Sequence, residues 1–254
     1  MNTDLLFLLL VGALVGASSG FLGSFMVLKR MSLVGDALSH VALPGIAIAL
    51  MFGINPILGA LIALALATFG IWYLAEHSEV YPEALVGVFF TASLSLGLLL
   101  TPEPELLEAL FGNIDKIGVS DGILTIGGSL IIFAVTLAIS KKLILGVVSQ
   151  DLAKSQGINV SRLNLIYLLM VALVVALGVK FLGTLLTGAM VIIPAVTAKN
   201  LAKSVKGFHY LSVFFGVASA VSGIIIAKYF GFSSGPVVVL TAVVLFIASY
   251  LFRK

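Results

Sequence analysis

The chain of 254 residues contains no cysteine, which excludes a disulfide framework, a thiolate metal site and a cysteine nucleophile. Any metal chemistry must therefore use oxygen, imidazole or thioether donors. Charge is nearly as scarce, at 10% of residues against about a quarter in soluble domains, and the net balance of +3 is too small to point to nucleic acid. There is no His-Glu-x-x-His for a membrane metalloprotease and no G-x-x-x-x-G-K-[ST], so the chain cannot bind and hydrolyse ATP by that route. Gly231-Phe-Ser-Ser-Gly235 matches G-x-S-x-G only formally, because it lies in a loop that opens a helix and lacks the strand-to-helix elbow of a serine hydrolase.

Apolar residues make up 61% of the chain, so hydrocarbon is its main solvent. Apolar runs of about twenty residues, the length that crosses a bilayer core as helix, recur without leaving room for a soluble domain. The expected fold is all-α: one polytopic transmembrane domain over residues 1–254. About nine spans are expected, near 5–28, 32–52, 56–75, 84–100, 121–140, 163–179, 184–198, 210–227 and 236–252. The first follows Asn2, Thr3 and Asp4 rather than basic residues, and it is too long for a secretory signal, so it reads as a retained helix. With the N-terminus outside, Lys29, Arg30, Lys141, Lys142, Lys154, Arg162, Lys199, Lys203, Lys206, Arg253 and Lys254 are cytoplasmic, whereas Lys116, Lys180 and Lys228 face out. This satisfies the positive-inside rule, and an odd number of spans then puts the C-terminus in the cytoplasm.

Turn residues punctuate the spans. Gly53-Ile54-Asn55-Pro56 turns one helix pair, Thr101-Pro102-Glu103-Pro104-Glu105 caps another on the outside, and Ser233-Ser-Gly-Pro236 opens the last helix. Glu76, His77 and Glu79 cluster at a cytoplasmic helix end; a solvated face is the favoured reading and a cation exit the other. The longest polar segment, 149–162, offers Asp151 as an N-cap and Gly157 at a helix C-terminus, which predicts a short cytoplasmic helix. Such a helix is either a plain connector or an element that transmits movement from a soluble partner.

Asp36 and His40 lie inside the second span. An ionisable group at a helix centre costs roughly 2.5–3.5 kcal/mol even on lenient insertion scales, so it usually faces a bundle interior or a watery path. A spacing of four residues puts both on one face, about 6 Å apart at Cβ, with Ser39 beside them. Carboxylate and imidazole suit zinc, manganese or ferrous iron better than calcium or magnesium. Two ligands make an incomplete site, as transport requires of an ion that must leave again. The alternative is that the pair only hydrogen-bonds within the bundle. Pro44 removes the amide that would bond the His40 carbonyl, and Pro194 does the same to the carbonyl of Met190. Freed backbone at membrane depth is tolerated where it is buried or lines a cavity. The Met190 thioether is a candidate ligand, although packing is its commoner role. The transport path is thus expected near Ser39, Pro44, Met190 and Pro194.

The run Lys29-Arg-Met-Ser-Leu-Val-Gly-Asp-Ala-Leu-Ser-His-Val-Ala-Leu-Pro-Gly45 closely resembles the signature of the permeases of zinc, manganese and iron ABC importers. Leu110-Phe-Gly-Asn-Ile114, the segment 151–165, Val179-Lys-Phe-Leu-Gly-Thr-Leu-Leu186, Ile193-Pro-Ala-Val-Thr-Ala-Lys199 and Ser234-Gly-Pro-Val-Val-Val-Leu240 are similar to that family in the same order, so the resemblance covers essentially the whole chain. It implies a multi-pass permease of the prokaryotic inner membrane, not itself an enzyme, which imports a divalent metal ion as cargo and binds no cofactor. The implied partners are a second copy in a homodimer, two cytoplasmic ATPase subunits, an extracytoplasmic solute-binding protein and membrane lipid. By the same resemblance Asp36 and His40 match the polar pair of the metal path, and Asp151, Leu152, Ala153, Lys154 and Gly157 form the coupling helix seated on the ATPase. Lys180-Phe-Leu-Gly and Ser234-Gly-Pro look more like zinc permeases, which favours zinc. The competing expectation is a proton-coupled secondary transporter in which Asp36 and His40 relay protons.

Overall fold

The computed structural model describes residues 3–100, 109, 110, 112 and 118–252. The expected cap at 101–105, Lys116, most of 110–114, and Arg253 and Lys254 lie outside the described residues.

Ten helices are described: α1 Thr3–Leu28, α2 Ser32–Met51, α3 Pro56–His77, α4 Pro82–Leu100, α5 Val119–Val148, α6 Gln150–Ser155, α7 Val160–Leu182, α8 Thr184–Leu201, α9 Val205–Phe230 and α10 Ser234–Leu251. Eight are long and apolar enough to cross a membrane, and the remaining expected span, 184–198 in α8, contributes a shorter apolar stretch, Leu186–Leu201. Several helices outrun the expected spans. Hydropathy stops where side chains turn polar, whereas backbone hydrogen bonding continues until a cap competes with it. Thus α5 runs on past Lys141 and Lys142 for 30 residues in all. The Asn159 side chain accepts the Arg162 amide at the start of α7, and Ser204 accepts the Gly207 amide at the start of α9. At α3, Asn55 accepts the Ile57 amide, with Pro56 in the first turn. Ser233 caps α10 by position but makes no side-chain cap bond.

Antiparallel neighbours sort the polar residues to two ends. At one end Asn55, Asp121 and Lys180 converge: Lys180 Nζ lies 2.5 Å from Asp121 Oδ2, and Asn55 Nδ2 lies 3.4 Å from Asp121 Oδ1. At the other, Lys29 meets Asn164 and Trp72 meets Ser161. Between the ends, α1 is the central helix, packed on α5, α8 and α9, and Val11, Leu22, Phe25 and Met26 on it are fully buried. α2 packs on α3, α4 and α8. Large apolar side chains such as Ile62, Leu66, Leu99, Leu137, Phe214 and Leu240 face outward, as expected where the surrounding solvent is lipid.

Candidate functional site

Asp36, Ser39 and His40 stand on the first half of α2. Ser39 is fully buried and His40 nearly so, while Asp36 is half-buried. The imidazole lies edge-on to Phe90 of α4, with ring centroids 5.2 Å apart and planes at 71°. Its Nδ1 is buried without a hydrogen-bond partner among the described residues. No ion pair or hydrogen bond joins Asp36 to His40 among the described residues. The pair therefore does not satisfy itself, and a buried ring nitrogen left unpaired carries the full cost of its lost hydration.

The elements around the pair explain its burial. Gly188 of α8 rests against Asp36: a Cβ there would lie 2.6 Å from Asp36 Cα and 2.8 Å from its Oδ1. Only a residue without a side chain lets the two helices approach so closely. One turn earlier, the Ser39 hydroxyl sits 2.5 Å from the Thr184 carbonyl oxygen and 2.7 Å from the Asp36 carbonyl oxygen. The Thr184 hydroxyl is buried and unpartnered. Since Ser39 is seven residues into α2, about 10 Å along its axis, α8 starts beside the middle of a span and not at its edge.

That interior start depends on Gly183. Its φ of 77° and ψ of 168° fall in a region open essentially only to glycine. A Cβ would overlap the Leu110 carbonyl and lie 2.5 Å from the Gly112 nitrogen. The true break in helical backbone next to the candidate site is therefore Gly183. Both Pro44 and Pro194 lie inside continuous helices. The signal for this break was the shortness of the apolar stretch 184–198, which is below the length of a full span. Met190 is buried in a cluster with Leu8, Val11, Val15 and Ile224, as a packing side chain would be. Thr184 and Gly188 were not singled out from the sequence, because neither is unusual until the two helices meet.

The described residues contain no group of three or more His, Asp or Glu able to hold a metal ion. One copy thus presents a carboxylate, an unpartnered imidazole nitrogen and the hydroxyls of Ser39 and Thr184. This donor set suits a divalent transition metal in transit and not a resident, closed site.

At the basic end, the expected short helix is present as α6. Its N-cap is Ser149, which accepts the Leu152 amide at 3.2 Å, and not Asp151, which falls one residue inside the first turn. The serine hydroxyl precedes the aspartate and captures the free amide first. The C-terminus closes with Gly157 at φ 73°, its amide on the Lys154 carbonyl and the Ile158 amide on the Ala153 carbonyl, a Schellman pairing. Ala153 is buried, whereas Asp151, Leu152 and Lys154 are exposed. His77 bonds back to the Tyr73 carbonyl at 2.8 Å on an exposed surface, as a solvated helix end would.

Residues 3–253 match the ABC 3 transport family. The chain is 33% identical over 248 residues to the manganese transport system membrane protein MntC of Listeria monocytogenes, covering 96% of this chain and 89% of that one. It is 29% identical over 251 residues to the high-affinity zinc uptake system membrane protein ZnuB of Haemophilus influenzae, covering 97% and 96%. Among solved structures it resembles PsaBC from Streptococcus pneumoniae in complex with Fab, with a TM-score of 0.87, 31% identity, and coverage of 98% of this chain and 92% of that chain.

Proposed function

This chain belongs to the ABC 3 transport family, and we propose that within its metal permease subunit Asp36 and His40 form the transient cation site. The chain is the multi-pass membrane permease of an ATP-binding-cassette metal importer, and ATP hydrolysis resides on a separate subunit. Nothing in this family supports the proton-relay alternative. The observation that carries the site is the pairing, on one face of α2, of a half-buried carboxylate with a buried imidazole whose Nδ1 has no partner, where Gly188 admits α8. Two ligands per chain leave the coordination shell open to water, so the ion is held weakly enough to move on.

The arrangement around it follows from the same premise. The end carrying Lys29, Arg30, Lys154, Arg162 and Lys203 faces the cytoplasm, so the N-terminus lies outside and the C-terminus inside. The permease works as a homodimer with two ATPase subunits and receives metal from an extracytoplasmic binding protein. The exposed face of α6, with Asp151, Leu152 and Lys154, is the coupling surface for the ATPase. Zinc is the cargo favoured by Lys180-Phe-Leu-Gly and Ser234-Gly-Pro, and manganese is its direct competitor, since carboxylate and imidazole accept both.

The test is ATP-driven uptake into vesicles holding the permease, its ATPase and the binding protein. Asp36→Asn and His40→Ala are each expected to reduce uptake while the ATPase still co-purifies; wild-type uptake in both variants would reject the site. Competition among zinc, manganese and iron in the same vesicles assigns the cargo.

A further inference from the structure

Two costs are concentrated in the three residues that join α1 to α2. Arg30 has a φ of 60°, in the left-handed region that side-chain-bearing residues avoid. Lys29 is desolvated, and burial lowers its pKa from 10.5 to about 8. No carboxylate lies within ion-pair distance of it among the described residues. Its ammonium instead donates to Asn164 Oδ1 at 2.5 Å and lies 4.9 Å from the centroid of the Tyr167 ring. Features that break a local rule without a gain in stability mark places held for function.

Ser161, Asn164 and Tyr167 recur every three residues along one face of α7, directly after the segment that contains α6. Trp72 of α3 holds Ser161, its Nε1 lying 3.0 Å from Ser161 Oγ and 3.2 Å from the Ser161 carbonyl oxygen. Beneath these contacts is a cavity of about 590 Å³ reached by Lys29, Thr68, Val86, Leu143 and Tyr167. The hydroxyls of Thr68 and Tyr167 are buried there without partners. Leu163 and Tyr167 of α7 pack into the core beside this cavity, and the polar contacts at its rim add directional ties between α7, α3 and the α1–α2 turn. An apolar contact would slide when α7 moves. A directional, charge-assisted bond follows it in both directions.

We propose that Lys29, through its bond to Asn164, is the positioning residue that carries displacement of the α6 segment into α2 and hence to Asp36 and His40. Asp36 follows Lys29 by seven residues, through the Arg30 turn and the first turn of α2, a short and stiff lever. The inference rests on the reading of 149–162 as the ATPase coupling segment.

The experiment uses the complete importer in vesicles and reads metal transported per ATP hydrolysed, together with ATPase co-purification and the thermal midpoint. Lys29→Met and Asn164→Leu should each lower the transport ratio by at least about fivefold, the scale of a modest coupling free energy, with the ATPase still bound. The double variant should be no worse than either single one, because both remove the same bond. Lys29→Arg, which keeps the charge and the donor, should restore the ratio, whereas a merely structural role predicts that the ratio tracks the thermal midpoint instead. Should Lys29→Met fail to assemble, Asn164→Leu alone decides the matter. A further arm replaces 151–157 with a Gly-Ser linker. If the ATPase still binds and couples, the coupling-segment reading falls and the inference falls with it. If that arm loses coupling while Lys29→Met and Asn164→Leu keep the wild-type ratio, the Lys29 link alone is overturned.

Discussion

Gly188→Ala tests whether the approach of α8 is what shapes the candidate cation site. The added Cβ would stand 2.6 Å from Asp36 Cα and 2.8 Å from both its Cβ and Oδ1. Carbon atoms rest at about 3.5 Å or more, so α2 and α8 must separate locally by about 1 Å. The obstructing atoms are backbone and the first side-chain carbon, and neither can rotate away. Overpacking of this kind costs typically 1–3 kcal/mol, and here it displaces Asp36 and loosens the Ser39 contact to Thr184. If the cation site uses Asp36 in its present position, a loss of that size corresponds to uptake reduced by about five- to 150-fold. The assay is ATP-driven metal uptake beside thermal unfolding in detergent, with Gly127→Ala as the control, since a Cβ at Gly127 meets nothing within 4 Å. Gly127→Ala should leave uptake intact and cost no stability. Wild-type uptake and midpoint for Gly188→Ala would refute the claim that this crossing positions Asp36.

Two further outcomes follow from the backbone and from charge. Gly183→Ala must adopt a strained conformation, at about 1–3 kcal/mol, and must also push against the Leu110 carbonyl; the thermal midpoint should fall more than for Gly188→Ala, and an unchanged midpoint would mean that α8 does not start where described. For Lys29, the folded-state pKa near 8 lies below its ordinary value of 10.5, so between these values the unfolded chain binds the extra proton and stability rises with pH. The penalty of burying the charge is complete below pH 8 and is relieved as pH climbs toward 10.5. Lys29→Met should therefore match or exceed the wild type in thermal midpoint at pH 7, with its advantage shrinking above pH 8; a constant difference across that range would contradict the desolvation of Lys29.

Much of this molecule could be read from one dimension. The scarcity of charge and the 61% apolar content named the solvent, and the apolar runs supplied the helices, because burying a helix in lipid depends on composition summed over about twenty residues. The Asp36 and His40 pair stood out for the same reason: a local cost visible in local sequence. The short helix at 150–155 was foreseeable from cap chemistry, although Ser149, two positions before Asp151, took the role expected of the aspartate by accepting the free Leu152 amide. None of these readings needed to know which helix lies beside which.

Tertiary structure decided the rest, since it depended on separations that no spacing rule contains. Gly188 is an unremarkable glycine until α8 crosses α2 at Asp36. Gly183, and not Pro44 or Pro194, turned out to break the backbone beside the site: the prolines lie inside helices that continue past them, while glycine alone can take the φ and ψ required at 183. Met190 became core rather than ligand once its neighbours proved apolar. Lys29 seemed no more than one of many cytoplasmic positive charges, and its burial over Tyr167 against Asn164 exists only because α7 returns to the α1–α2 turn. Composition chooses the solvent and the period chooses the helix, but which polar group meets which is settled by packing between segments far apart in the chain.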